Sequence, residues 1–416
     1  MELPRHPEGR SLRLALSLGL LVLAACGSAP TRKPVPRGLV EQAFVPGLEE
    51  VREWSDLDLE NQDEYQVRLE RTREALRAMQ AAQAGSEKLK VRCLVLSGGA
   101  ADGAFGAGLL YGWTEAGTRP PFEIVTGVST GALTAPFAFL GSEHDAALER
   151  FYTTIEQDDV LVERGLLGMI GSTSAGDSRP LRALLEHLID AEFLAAIARE
   201  HERGRRLLVF TTHLDAQRPV MWDLGRIAQV GTPEALRLFH DVLMASAAVP
   251  GIFPPVLIGV RADGRDWDEM HVDGGVINQV AFLPEAFEVT RLAADLGYEL
   301  DMDAYVIRNA RTTPEYEAVE PSLLSIAGRT ALTLTKTQGI GDLYRIFLGC
   351  LRDGIAFHLA MIPPEFESPR EEEFDQVYMR ALFQFARAKA RNGYPWDDAP
   401  PRFDIEEFRT LLAPAS

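Results

Sequence analysis

The sequence predicts an α/β fold in which helices cover both faces of a mostly parallel sheet. Three apolar runs of strand length, VRCLVLSGG (91–99), FEIVTGVS (122–129) and RRLLVFTTHLD (205–215), alternate with segments of helical character. Each run is apolar throughout, which is typical of strands that are buried on both faces. Strands of this kind that alternate with helices predict a three-layer α/β/α architecture.

Composition and charge limit the classes of function. The chain has 416 residues, of which 46% are apolar, so it can bury a substantial core. Its formal net charge is -19. A protein face that binds nucleic acid must be basic to neutralise phosphates, so this balance argues against a nucleic-acid partner.

The N-terminus has the features of an export signal. Arginines precede LALSLGLLVLAA (14–25), an apolar run that is shorter than the roughly 20 residues of a membrane-spanning helix. The run ends in Leu23-Ala24-Ala25-Cys26, which resembles the lipobox of bacterial lipoproteins, where the cysteine takes the lipid. We therefore predict a signal peptide over 1–25 and lipidation of Cys26. The alternative is an ordinary signal peptide with a chance cysteine.

The residues after Cys26 are expected to hold the domain at a membrane. Gly27 and Ser28 carry no aspartate retention signal, which favours the outer membrane over the inner membrane of a bacterial cell envelope. A Pro- and Gly-rich segment then predicts an extended tether, and residues 58–84 predict a long charged helix that ends at Gly85. Residues 26–90 are therefore assigned to a lipidated tether and an N-terminal helix, which is expected to be a solvated arm packed on the domain.

Two further cysteines, Cys93 and Cys350, could pair in an oxidising compartment, but their spacing in sequence does not determine their separation in space. Cys93 lies in a predicted buried strand, which favours a packed free thiol. The sequence contains no CxxC motif or His/Cys cluster that indicates a metal site.

The segment GVSTG (127–131) places Ser129 in a GxSxG pattern. Where such a serine is a nucleophile, it sits on a strained turn between a strand and a helix, with small neighbours that let the backbone bend. Here Gly127 and Gly131 flank the turn, a strand precedes it and a helix follows. Ser129 is thus a candidate nucleophile whose alkoxide the helix N-terminus would stabilise. Pro136 is unusual in this position, because proline tends to kink a helix interior.

A glycine-rich loop, SGGAADG (97–103), follows the first predicted strand and opens a helix. Backbone N–H groups in such a loop converge on an anion. The loop lacks the Walker lysine followed by Ser/Thr, and it lacks the full GxGxxG pattern with a later acidic residue, so a phosphate site is disfavoured. An oxyanion hole needs only N–H donors aimed at a tetrahedral intermediate. Glycines at 103, 106, 108 and 112 of the next helix indicate close backbone packing.

A third motif, Asp273-Gly274-Gly275, follows a predicted strand end. An aspartate before two glycines is by itself commonly a turn. The three motifs in this order, glycine-rich loop, GxSxG and DGG, resemble the patatin-like phospholipase family. The segments ASAAVPGIFPPV (245–256) and TTHLDAQRPVMWDLG (211–225) add to the likeness. It is strongest over about 92–286 and continues more weakly beyond.

This resemblance implies a patatin-like α/β/α fold and a serine acyl-hydrolase of membrane lipids, of the phospholipase A or lysophospholipase type. It implies a Ser–Asp dyad in which Ser129 is the nucleophile and Asp273 the general base of an acyl-enzyme mechanism, with no metal or cofactor. The residues that it assigns to the oxyanion hole are Gly98, Gly99, Ala100 and Ala101, and the motif glycines that it assigns to their support are Gly103, Gly127, Gly131, Gly274 and Gly275.

Two positions depart from the family pattern. Ala100 stands where a third glycine is usual, which is tolerable if its φ stays negative. Asp102 stands where a basic residue is common. A carboxylate about 6 Å from the oxyanion would cost on the order of 3 kcal/mol at an effective dielectric near 20. Asp102 is therefore expected to point away, as the N-cap of the next helix.

Beyond residue 286 the sequence predicts strands at 303–309 and 354–362 with a helical segment between them, and then a charged, partly helical tail. We assign residues 92–286 to the catalytic core and residues 287–416 to a C-terminal α/β extension packed on that core. The sequence does not indicate an oligomeric state.

Two other functions fit the same residues. An α/β-hydrolase-type esterase would use a triad in the order Ser, Asp, His, for which Ser129, Asp273 and His358 form the candidate set. His358 lies in an apolar, strand-like run, which favours a packed histidine. The second alternative is a non-catalytic envelope lipoprotein that retains the fold, which Ala100 and Asp102 would favour.

Overall fold

The computed structural model describes residues 32–56, 62–163, 173–283 and 289–404, so the predicted signal peptide and Cys26 lie outside the described residues. Strands and helices alternate along the chain as predicted. None of the described helices combines the length and the apolar character needed to cross a bilayer.

The strands are β1 (Arg52–Trp54), β2 (Leu89–Leu96), β3 (Ile124–Gly127), β4 (Val162–Glu163), β5 (Gly176–Asp177), β6 (Arg206–His213), β7 (Arg218–Asp223), β8 (Val256–Ala262), β9 (Arg265–Asp273), β10 (Leu300–Arg308) and β11 (Ala356–Met361). The α-helices are α1 (Gln62–Ala82), α2 (Gly103–Glu115), α3 (Thr130–Leu140), α4 (Asp145–Thr154), α5 (Gln157–Val160), α6 (Arg179–Leu188), α7 (Ala191–Glu202), α8 (Leu224–Val230), α9 (Pro233–Ser246), α10 (Val289–Asp295), α11 (Leu323–Asp353) and α12 (Gln376–Arg391).

A large central sheet has the strand order β1-β7-β6-β3-β2-β10-β11. Strands β6, β3, β2, β10 and β11 are parallel neighbours. On one side β7 and then β1 continue the sheet in antiparallel pairs, and the β8–β9 hairpin joins β6 through β9, also antiparallel. The predicted mostly parallel sheet is confirmed. Its antiparallel margin was not indicated by the apolar runs.

Helices cover both faces of this sheet. Successive residues of a strand point to opposite faces, so neighbouring residues of one strand contact different helices. On β2, Leu94 and Leu96 belong to one buried core together with residues of α2, whereas Cys93 and Val95 belong to a second core together with residues of α11. The three-layer α/β/α architecture predicted from the sequence is therefore confirmed. Cys93 and Cys350 are both buried free thiols, as expected for Cys93.

Residues beyond the predicted core domain belong to the same sheet. Strand β10 pairs with β2, and β11 pairs with β10. Helix α12 packs closely on α2, where a Cβ on Gly108 would lie 2.2 Å from the Phe383 carbonyl oxygen. Strands β10 and β11 of the predicted C-terminal extension (287–416) therefore continue the core sheet.

The predicted tether is bound to the domain from residue 32 onward. The Lys33 N–H donates to Asp268 Oδ2 (3.0 Å), and the Asp268 N–H donates to the Lys33 carbonyl (2.7 Å). Arg32 forms an ion pair with Asp215. Residues 32 and 33 of the predicted tether therefore contact the domain. The predicted charged helix is present as α1, and Gly85 follows it with φ +94°.

Replacing Gly108 by alanine tests the contact between α2 and α12. The added Cβ would lie 2.2 Å from the Phe383 carbonyl oxygen. The helices must therefore separate, and we expect the free energy of unfolding to fall by about 1–3 kcal/mol. Chemical denaturation followed by circular dichroism measures this change.

Gly328 of α11 is the matched control, since no atom from another part of the described chain lies within 4 Å of the Cβ position there. Gly328→Ala is expected to stabilise the protein by up to about 1 kcal/mol, because alanine favours the helix more than glycine does. Equal effects at the two positions would contradict the close approach of α2 and α12.

Candidate active site

The three sequence motifs meet at one edge of the sheet. The glycine-rich loop follows β2, Ser129 follows β3, and Asp273 is the last residue of β9. Leu96 pairs with Gly127 at the ends of β2 and β3, and Asp273 pairs with Thr211 of β6. In open α/β sheets, ligands bind outside the carboxyl ends of the strands. The topology therefore brings together residues that are far apart in the sequence.

Ser129 lies on a sharp turn between β3 and α3. Its φ is 55° and its ψ is -126°, a conformation that is open to glycine and strained for other residues. The turn passes close to β2, because a Cβ on Gly131 would lie 2.4 Å from the Leu96 carbonyl oxygen. A Cβ on Gly127 would lie 2.6 Å from the Gly131 carbonyl oxygen. The strained turn predicted from the GxSxG pattern is present, and α3 continues through Pro136.

Ser246 of α9 holds this turn in place. Its hydroxyl accepts a hydrogen bond from the Ser129 N–H (3.0 Å) and donates one to the Phe210 carbonyl of β6 (2.7 Å). Ser246 is fully buried, so losing it would leave the Ser129 N–H unsatisfied in the core. The residue lies within the ASAAVPG segment, but the sequence pattern did not indicate this role.

Asp273 lies beside Ser129, and its carboxyl group is buried. Its Oδ1 accepts a hydrogen bond from the Gly275 N–H (2.7 Å). Its Oδ2 is buried and forms no hydrogen bond of standard geometry within the described ranges. Burial raises the pKa of Asp273 to about 7, although the neighbouring Ser129 hydroxyl and the Gly275 N–H lower it. The site therefore presents a carboxyl group that titrates near neutral pH next to a serine hydroxyl.

The glycine-rich loop lies directly against Ser129. A Cβ on Gly98 would be 3.1 Å from the Ser129 Cβ and 3.3 Å from Gln279 Oε1. The Gly98 N–H donates to the Gln279 carbonyl at 3.0 Å, so this donor is already satisfied. The structure therefore corrects the predicted oxyanion hole by removing Gly98 from its donors.

The remaining predicted donors are Gly99, Ala100 and Ala101. They stand at the start of the 3₁₀ turn Ala100–Asp102 that leads into α2, where the first N–H groups have no intrahelical acceptor. None of the three N–H groups has a hydrogen-bond partner in the part of the chain that the structure describes. Ala100 has φ +48°, so the negative φ at which alanine would be unstrained is not adopted, and the residue is held in the left-handed region.

Asn309 clamps the glycine-rich loop from the β10 side. Its N–H donates to Ser97 Oγ (2.7 Å), its Nδ2 donates to the Ser97 carbonyl (3.0 Å), and its Oδ1 accepts from the Gly106 N–H (3.0 Å). Gly99 has φ +155°, and a Cβ there would lie 2.0 Å from the Asn309 carbonyl oxygen. Asn309 therefore positions the loop. It ends a predicted strand, and nothing in its local sequence indicated this role.

The other motif glycines occupy places where a side chain would collide. A Cβ on Gly103 would lie 2.3 Å from the Thr130 hydroxyl oxygen. A Cβ on Gly274 would lie 2.5 Å from the Phe210 carbonyl oxygen, and one on Gly275 would lie 2.4 Å from a side-chain amide nitrogen. These glycines therefore allow close packing around the site, and Gly275 also donates its N–H to Asp273.

Asp102 is directed to α12 and does not cap α2. It occupies the predicted N-cap position, but its side chain makes no capping hydrogen bond. Its Oδ1 accepts a hydrogen bond from the Tyr378 hydroxyl (2.7 Å) and lies 3.7 Å from Arg370 Nη1. Burial raises the pKa of Asp102 to about 6, although both partners lower it. The residue therefore links the loop to the C-terminal helix.

A buried polar cluster precedes Asp273 on β9. Glu269 accepts hydrogen bonds from His271 Nε2 (3.2 Å) and from Arg52 Nη2 (2.8 Å). His271 Nδ1 lies 3.0 Å from Thr211 Oγ1 of the neighbouring strand. Burial lowers the pKa of His271 to about 4, so this ring is neutral at physiological pH. The cluster anchors the strand that carries Asp273.

His358 lies far from Ser129. It is on β11, and two strands, β10 and β2, separate β11 from β3. At roughly 4.8 Å per strand, this is a distance of about 14 Å. Its Nε2 is 2.8 Å from Asp303 Oδ1, and its ring stacks on Tyr305 with centroids 4.6 Å apart. His358 is thus packed as predicted, and the structure does not bring it together with Ser129 and Asp273.

Ser129→Gly and Ser129→Ala measure the strain at the turn. Both remove the hydroxyl, but only glycine adopts this backbone conformation without strain. We expect Ser129→Gly to exceed Ser129→Ala in free energy of unfolding by about 1–2 kcal/mol, because the relief of strain outweighs the greater flexibility of glycine in the unfolded chain. Chemical denaturation gives both values.

Ser246, which ends α9, supplies the control pair. There the order is reversed, since glycine is less favourable in a helix than alanine by up to about 1 kcal/mol. A more stable Ser129→Ala variant would show that the turn is not strained.

Comparison with known proteins identifies the family of the segment that holds all three motifs. The sequence model described as patatin-like phospholipase matches residues 94–284. Among solved structures, the chain is similar to VipD from Legionella pneumophila, with 13% sequence identity, a TM-score of 0.34, and coverage of 73% of this chain and 67% of that chain. No curated protein matches the sequence. Residues 94–284 of this protein therefore form a patatin-like phospholipase domain.

Proposed function

We propose that the protein is a serine acyl-hydrolase that cleaves acyl esters of lipids, of the phospholipase A or lysophospholipase type. The patatin-like phospholipase domain supports lipid acyl hydrolysis as the class of reaction. One observation carries the assignment of residues. Ser129 is held on a strained turn beside the buried carboxyl group of Asp273, whose Oδ2 has no hydrogen-bond partner within the described ranges.

In the proposed reaction, Asp273 accepts the hydroxyl proton of Ser129 while Ser129 Oγ attacks the ester carbonyl. A carboxylate with a pKa of about 7 is a stronger base than an ordinary aspartate. Catalytic hydrogen bonds are often long before substrate binds and tighten in the complex. Asp273 then returns the proton to the leaving alcohol and activates a water that releases the acyl group from Ser129.

The tetrahedral intermediate places a negative charge on the former carbonyl oxygen. The N–H groups of Gly99, Ala100 and Ala101 have no other partner within the described ranges, so they are the proposed donors to this oxyanion. Losing one such donor typically lowers kcat by about 10²–10³-fold. Asn309 contributes by holding the loop in place and would not touch the substrate.

We also propose that a lipid on Cys26 holds the enzyme at a bacterial envelope membrane, with the outer membrane favoured by the residues after Cys26. The lipobox-like sequence supports this placement. An enzyme tied to a lipid surface encounters its substrate at a high local concentration.

Variants of the proposed dyad test the function. Full-length wild-type protein, Ser129→Ala and Asp273→Asn are compared on a fluorogenic acyl ester and a labelled phospholipid, with folding checked by circular dichroism. We expect Ser129→Ala to be reduced to background, because it lacks the nucleophile. Asp273→Asn, which lacks the base, should lose about 10²–10⁴-fold in kcat/KM.

His358→Ala is the control, and it should retain wild-type activity because His358 lies about three strand spacings, roughly 14 Å, from β3. Loss of activity in His358→Ala would favour the triad esterase instead. Equal activity in wild type and Ser129→Ala would place the nucleophile elsewhere, and inactivity of the wild type on both substrates would favour a non-catalytic lipoprotein.

Activity is expected to rise with pH through about 7. Burial raises the pKa of Asp273 to about 7, and the base acts as the carboxylate. Below this pH, kcat/KM should fall about tenfold per unit. Stability should change in the opposite direction. Because the folded-state pKa lies above the usual 3.8, the contribution of this group is present in acid and is lost as pH rises through about 7.

The pH profile of kcat/KM on an uncharged ester measures this fall in activity below about pH 7, which is the acid limb of the profile. The pKa of Asp102 is also raised, to about 6, so Asp102→Asn is the control and should keep the limb near 7. A profile without an acid limb, or a limb that disappears in Asp102→Asn, would contradict the assignment of Asp273 as the base.

A further inference from the structure

The cavity beside Ser129 is small. Its volume is about 40 Å³, and Ser129 and Ala100 form part of its wall. For comparison, an apolar protein cavity of about 150 Å³ accepts benzene. Only a few carbon atoms can therefore enter the cavity without movement of its walls.

Apart from the Ser129 hydroxyl, the cavity presents a hydrocarbon lining, because its other side-chain polar groups bind one another. The Tyr152 hydroxyl lies 2.6 Å from Thr130 Oγ1 and 2.9 Å from Thr134 Oγ1. The rest of the lining is apolar, with side chains such as Leu133 and Phe151. A polar head group would lose its hydration here without gaining hydrogen bonds, whereas an acyl chain would gain from burial. The cavity therefore suits the acyl part of an ester.

One wall of the cavity comes from residues beyond the family domain. Phe374, just before α12, and Met379, within α12, both line the cavity, and Met379 is 2% exposed. The Phe374 N–H donates to Gln157 Oε1 (3.2 Å), and Gln376 Nε2 donates to the Thr154 carbonyl (3.0 Å). Together with the packing of α12 on α2, these bonds fix the wall in place.

We propose that Phe374 and Met379 limit the length of the acyl chain, so that the enzyme prefers esters of short-chain acids. The proposal rests on the proposed function, because it takes Ser129 as the residue that holds the acyl group. The family match ends at residue 284, so it supplies neither of these two side chains.

Chain-length profiles test the proposal. We compare kcat/KM for p-nitrophenyl acetate, butyrate, octanoate and palmitate in full-length wild type, Phe374→Ala and Met379→Ala. Wild type should prefer the two short esters. Each variant enlarges the cavity, so the ratio of octanoate to butyrate should rise about tenfold or more, which is the usual effect of a methylene in an apolar pocket.

Val377→Ala is the matched control, since Val377 lies on the same helix but is 73% exposed, and its profile should equal that of wild type. Met379 is in the core, and Phe374 is only half-buried ahead of the helix. Phe374→Ala therefore keeps the test decisive if Met379→Ala does not fold. Circular dichroism checks the folding of every variant.

Two results would overturn the proposal: a wild type that cleaves palmitate as fast as butyrate, or an unchanged ratio in folded Phe374→Ala. Calorimetric titration of butyrate and octanoate into Ser129→Ala, with and without Phe374→Ala, separates this failure from failure of the proposed function. Tighter octanoate binding when Phe374→Ala is added to Ser129→Ala supports the proposed limit on chain length independently of hydrolysis. If wild type hydrolyses the esters but Phe374→Ala changes neither the octanoate-to-butyrate ratio nor the octanoate affinity, the proposed function stands and the proposed limit on chain length is refuted.

Discussion

The backbone of Ser129 is the constraint on which the rest of the site depends. At φ 55° and ψ -126° it is strained by about 1–3 kcal/mol. The fold holds it there because Gly131 passes against the end of β2 and because Ser246 binds the Ser129 N–H from α9. A serine on such a turn projects its hydroxyl from the edge of the sheet. Asp273 lies at this edge because it is the last residue of β9. The same backbone conformation of Ser129 therefore both places the hydroxyl and causes the strain.

The glycine-rich loop is constrained in a similar way, from two sides. The Gln279 carbonyl binds the Gly98 N–H, and Asn309 binds Ser97 and presses against Gly99. Between these contacts the chain passes through Ala100 at a positive φ, and several of its N–H groups have no hydrogen-bond partner among the residues that the structure describes. Unsatisfied N–H groups near the core are unfavourable, and an anionic oxygen would satisfy them. Strain and unsatisfied donors thus accumulate where the proposed reaction develops charge.

Helix α12 contacts two parts of the site through neighbouring residues. Tyr378 binds Asp102 of the glycine-rich loop, while Met379 lines the cavity beside Ser129. The helix can do both because Gly108 lets it approach α2 at backbone distance. The segment outside the matched family domain therefore completes the site, and the packing that stabilises the fold also shapes the cavity.

The sequence by itself determined the elements whose signals are local. Buried strands follow from continuous apolar runs, as in VRCLVLSGG, and the strained turn follows from the small residues around Ser129. The order of the motifs, through the family resemblance, also pointed to Asp273. Only the tertiary structure decided that Ser246 and Asn309 hold the motifs, that the Gly98 N–H is already bonded and that Met379 of α12 lines the cavity beside Ser129. These features depend on contacts between distant parts of the chain, since Asn309 and Ser97 are separated by 212 positions. No local pattern of residue types records such a contact, because it forms only when the sheet brings β2 and β10 side by side.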